Sequence, residues 1–142
     1  MIRLTREQRA VFYEEAAREA HGAAGDVALM LEKRGGEHAR RCNQRYQAAA
    51  AILDDLGWEK DDPRAEFTVT IDPAQWREWV LEIAASAGDT LHGLTAELND
   101  PGRHRLHPPE HHAELDESTR EAIGREGRVV RACAHALIEV PA

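Results

Sequence analysis

The amino-acid sequence predicts an all-α fold, an antiparallel four-helix bundle-like domain with one short extended or β segment at about 66–71. Three observations carry that prediction. Apolar residues recur at three- and four-residue steps in four long stretches, side-chain caps head three of them, and one brief run alternates apolar with polar residues. At 142 residues the chain falls in the size range of one domain, and 1–142 is expected to be a single helical domain.

The first helix opens at Thr5, where Thr5-Arg6-Glu7-Gln8 has capping-box spacing, so hydroxyl and amide side chains can satisfy orphan backbone N–H groups. Phe12, Ala16, Ala20, Ala23, Val27 and Leu31 then make one apolar stripe. Gly35-Gly36 supplies a stop and a turn, and Ala39, Cys42, Tyr46, Ala49, Leu53 and Leu56 make the stripe of a second helix. Two stripes joined by a short turn form an antiparallel helical hairpin over 5–58, which Gly57 terminates and Trp58 is expected to plug.

Residues 59–71 read as an acidic linker and a strand, in which Phe67, Val69 and Ile71 alternate with Glu66, Thr68 and Thr70. A lone strand leaves backbone groups unsatisfied, so it requires Met1–Leu4, the same strand of a second copy, or an extended loop beside it; the first two are preferred. Asp72-Pro73-Ala74-Gln75 starts a long helix over 73–99, with Asp72 as N-cap and Pro73 in the first helical position. Its stripe is Trp76, Val80, Ile83, Ala87, Leu91, Leu94 and Leu98, with Trp79 beside Trp76. Asn99-Asp100-Pro101-Gly102 stops it, and a histidine-rich loop is expected over 100–115. The Ser118-to-Glu121 spacing, another capping box, predicts a C-terminal helix over 118–139 with Ile123, Gly127, Val130, Ala134, Leu137 and Val140 on one side.

The run "LTREQRAVFYEE", then "GDVALMLEKRGGEHARR" and "LDDLGWEKDDPRAEFTVTIDPAQW", resembles a group of small uncharacterised helical proteins common in actinobacteria. The likeness covers roughly the first half of the chain. Its shared motifs are structural, and the resemblance implies no activity.

Net charge is −8, with nine basic against nine acidic residues in 1–58 and nine against seventeen in 59–142. General nucleic-acid binding is therefore disfavoured, because neutralising phosphates needs a basic surface. Eight histidines make the charge sensitive to mild acid. No apolar run approaches the roughly 20 residues of a membrane span, and the opening residues lack a signal-peptide pattern, so a cytoplasmic location without membrane association is expected.

The most conspicuous chemistry is "HRLHPPEHH", where His104, His107, Glu110, His111 and His112 are candidate ligands for zinc or nickel. Pro108-Pro109 limits their convergence, since a short helix begun there would splay His111 from His112. Asp89 with His92 and His38 with Cys42 offer ligand pairs on single helix faces, whereas Cys133 and His135 fall on opposite sides of theirs. The paired Glu-x-x-His of di-iron bundles is absent, as are the GxSxG, Walker and HExxH motifs. Arg34, Arg41 and Arg45 form the only basic region and are candidate partner contacts. Trp76 and Trp79 are either core or a partner surface, with core preferred.

These readings lead to a non-enzymatic protein-interaction or regulatory module, expected as a homodimer joined through helix three or residues 66–71. A transition-metal protein using the histidine loop is the alternative. An acidic nucleic-acid mimic, suggested by the seventeen carboxylates of the second half, is the third.

Overall fold

The computed structural model describes residues 2–22, 30, 33–64 and 67–139, with the side chains of 38, 39 and 139 left aside. Among the described residues are four helices, α1 (Arg6–His21), α2 (Glu37–Leu56), α3 (Pro73–Asn99) and α4 (His112–Glu139), and two strands, β1 (Ile2–Leu4) and β2 (Phe67–Val69). The class is the predicted one, helical with a short β segment. Two compact units are formed, one from residues up to Trp79 and the other from Val80–Glu139.

In the first unit the Thr5 capping box is complete: Gln8 N donates to Thr5 Oγ1 at 3.2 Å and Thr5 N donates to Gln8 Oε1 at 2.9 Å. α1 ends at His21, where the Gly22 N–H bonds to the Arg18 carbonyl at 3.1 Å. The predicted continuation of its stripe through Ala23, Val27 and Leu31 lies outside the described residues. Gly35 and Gly36 have the positive φ angles, 74° and 108°, that the turn before α2 needs. Arg9, early in α1, bonds to the Leu56 carbonyl at the end of α2, while Glu19, late in α1, pairs with Arg45. The two helices therefore run antiparallel, as the hairpin reading expects.

β1 and β2 pair antiparallel, Ile2 opposite Val69 and Leu4 opposite Phe67, so the strand's partner belongs to the same chain. The period-two alternation sends Leu4, Phe67 and Val69 into the core, and the Asp55 carboxylate accepts from Thr70 N at 2.8 Å, fastening the strand end to α2. Asp72 caps α3 through Oδ2, which accepts from Ala74 N and Gln75 N at 3.1 and 3.2 Å. That cap aims Trp76 and Trp79 at Phe12: the Phe12 ring lies edge-on to Trp76 at 5.1 Å and 5.9 Å from Trp79. With Ala16, Ala49, Ile52, Leu53 and Leu56 these rings are the core of the unit. Trp58 does not plug it. Its indole is 43% exposed, held by a 2.7 Å bond from Nε1 to Asp54 and set edge-on to His21.

In the second unit α3 is buried at Val80, Ile83 and Ala87 but only half-buried at Leu91, Leu94 and Leu98. Asp100 ends it as predicted, its Oδ1 accepting from Gly102 N at 3.0 Å. The fourth helix starts at His112, six residues before the predicted Ser118. A 3-10 turn over Pro109–His111, begun by a proline whose φ suits it, runs straight into α4 and leaves Ser118 inside the helix. The buried side of α4 also differs from the prediction: Val129, Cys133 and Ala136 are buried, Ile123, Gly127, Val130 and Leu137 are half-buried, and Ala134 is exposed, while Val140 lies outside the described residues.

Candidate functional site

The histidine segment resolves into one small cluster and three solvent-facing groups. Turns over Pro101–His107 fold back so that the side chains of Arg103 and His104 meet Asp116, one turn into α4. Arg103 grips both Asp116 oxygens, at 2.9 and 3.0 Å, and His104 Nε2 is 3.0 Å from Oδ1. The guanidinium first, and the His104 imidazole after it, hold the Asp116 carboxyl far below the ordinary carboxylate range. The His104 ring stacks on His112 at 4.1 Å, and His112 Nε2 donates to the His107 carbonyl at 3.0 Å. His104 Nδ1 is buried without a hydrogen-bond partner among the described residues, beside a cavity of about 40 Å³ that Glu97, His107 and Thr119 also line.

His107, Glu110 and His111 are exposed, and His111 approaches only Glu114, at 4.0 Å. Among the described residues no three His, Cys, Asp or Glu side chains stand where one metal ion could hold them together. The reason is local: Arg103 occupies Asp116, a carbonyl engages His112, and the 3-10 turn sends His111 away from the stacked pair. Elsewhere Asp89 and His92 are both exposed, and buried Cys133 and exposed His135 lie apart as the helix period requires.

Arg41 and Arg45 are four apart on α2, whereas Arg34 lies outside that helix. Arg34 lies in the turn before α2, Arg41 makes an exposed 3.9 Å pair with Glu37, and Arg45 reaches across to Glu19. Glu19 also accepts from Trp79 Nε1 at 2.9 Å, so Arg45 is bound into the rim of the tryptophan core. Trp76 and Trp79 are both buried there.

Arg9 carries no functional expectation in the sequence, yet it lies beneath a cleft among the described residues. The side chain is only 4% exposed, and its guanidinium donates to the carbonyls of Leu56, Glu59 and Lys60 at 2.6–3.1 Å, with Tyr13 and Phe67 rings against its faces. The cleft above it, about 480 Å³, has the volume of a small-ligand pocket, with Arg6, Tyr13, Glu14, Lys60 and Asp62 around it. Two of its polar groups are held internally: Tyr13 Oη donates to the Trp58 carbonyl, and Arg64 holds Asp62, lowering that carboxyl to about 2. Arg9 thereby ties the end of α2 and the segment after it to α1.

What the chain does present is apolar. Ile138 is 81% exposed and Leu106 is 90% exposed, and Ile123, Val130 and Leu137, seven residues apart along α4, remain half-covered. Ile123, Val130 and Leu137 form a row beside the buried one. Comparison with protein-family models, with curated proteins and with solved structures finds no match.

Proposed function

We propose that the chain is a non-enzymatic protein-binding module whose contact surface lies on α4. One observation supports this reading above the others: α4 has two adjacent apolar rows, and only the row of Val129, Cys133 and Ala136 is buried. Leaving Ile123, Val130 and Leu137 half in water forgoes hydrophobic free energy of about 25 cal/mol for each Å² that a partner would cover. Partly uncovered apolar side chains in a continuous row are a feature of association surfaces. This surface differs from helix three and residues 66–71, which the sequence reading put forward; Trp76 and Trp79 lie in the core, the reading preferred for them, and residues 67–69 pair with Ile2–Leu4.

The test is cross-linking of the tagged chain at its native level in the cells that make it, followed by mass spectrometry. Cross-links from Arg131, Arg128 or neighbouring α4 positions to another polypeptide are the expected result. A chain that yields only internal cross-links and migrates at 15.9 kDa under native conditions overturns the proposal.

A further inference from the structure

We infer that a second copy of this chain docks on the open row of α4, with the two α4 helices parallel about a two-fold axis. This rests on the protein-binding reading and names its partner. The row Ile123, Gly127, Val130, Ala134, Leu137 advances by steps of four and three, the spacing of a coiled-coil seam. Ile123, Val130 and Leu137 then fall at d positions, Gly127 and Ala134 at a positions, Glu126 at g and Arg131 at e. In a parallel pair, the g residue of one helix faces the e residue five places further along its mate. Glu126 and Arg131 are five apart and opposite in charge, and the two-fold axis makes that contact twice. An antiparallel mate centred on Val130 would instead set Arg131 against its own copy.

Two further observations favour a copy of the chain at this place. Residues 120–138 carry four arginines and two glutamates within a chain of net charge −8, so this is where an acidic molecule meets its copy with least repulsion. In the single chain the Arg131 guanidinium lies over Gly127, with Nη1 3.8 Å from where a Cβ would stand. Glycine therefore leaves a shallow floor that the arginine covers with its own side chain, and a mate would replace that cover while offering Glu126 as the new partner. The seam from Ile123 to Leu137 is about 22 Å long. Its area lies below that of a standard interface, so dimerisation is expected in the micromolar range.

The experiment is sedimentation of the purified full chain from about 1 µM to about 1 mM. A monomer-to-dimer shift is expected, and Val130→Glu should abolish it with unchanged helicity by circular dichroism. Glu126→Arg should weaken association at least tenfold, and Glu126→Arg with Arg131→Glu should restore it; neither change touches the core. In a Cys42→Ser background, Ala134→Cys should form an interchain disulfide on oxidation, because an a position faces its own copy in a parallel pair. A monomer at every concentration overturns the inference. So does a dimer indifferent to Val130→Glu and to the charge exchange, or one in which Ala134→Cys forms no interchain bridge. A purified monomer that nevertheless cross-links to another protein in cells removes the second copy and leaves the protein-binding reading standing.

Discussion

Arg9 is a buried cation satisfied by main-chain carbonyls rather than by a carboxylate. The Leu56 carbonyl ends α2, where the helix dipole is negative, Glu59 and Lys60 lie just beyond it, and no other side chain has enough donors in one plane to serve all three together. Arg9→Ala should lower the unfolding free energy by about 3 kcal/mol in urea titration, and Arg9→Lys should recover less than half, having lost the planar fork. Periodicity contains the clue, because Arg9 shares the face of Phe12 and Ala16. A charge on an apolar stripe is ordinarily solvated, and nothing in the sequence shows that three carbonyls await this one. Asp62 and Asp116 contribute to the acid side of the stability curve. Each is depressed in the folded state, by Arg64 and by Arg103, so its contribution is present above the ordinary carboxyl value near 4 and is lost as pH falls, for Asp62 towards about 2. Circular dichroism on acid titration should therefore show Asp62→Asn and Asp116→Asn less stable than the parent at pH 6, with a shallower loss of stability below pH 4.

At the level of elements, starts and stops were legible wherever one residue supplies the chemistry. Thr5, Asp72 and Asp100 each do so with their own side-chain oxygens, and the observed bonds are those their spacing implies. Thr5→Ala should cost about 1 kcal/mol of stability in thermal melts. Gly57 is the corresponding stop on α2, at φ 87°, where a Cβ would stand 2.7 Å from Asp62 Oδ2. Gly57→Ala should cost more than the roughly 1 kcal/mol of the backbone alone, because the Asp62–Arg64 pair must also give way. The fourth helix was less legible for two physical reasons. Ser118 and Glu121 have cap spacing, but a helix already under way at His112 has no orphan amides there to cap. The apolar face is also two rows wide, and periodicity cannot say which row the chain itself covers. The histidine cluster was legible in composition alone, since the convergence of His104, His112 and Asp116 depends on how turns 101–107 fold back.

For the molecule as a whole, charge sets behaviour. A chain of net charge −8 with eight histidines loses its mutual repulsion as it is acidified, and its apolar row is then opposed by less. Light scattering at fixed concentration should stay flat above pH 7 and rise as pH approaches the isoelectric point near 5.5, with a smaller rise for Val130→Glu. The two-stranded sheet also imposes an order in time. Ile2–Leu4 leaves the ribosome some 65 residues before its partner Phe67–Val69, roughly 3–13 s at ordinary elongation rates. During that interval α1 and α2 can form, but the leading strand has no edge to join. β1 thus settles only after α1 and α2 have been made, in the same late step that brings in Trp76 and Trp79.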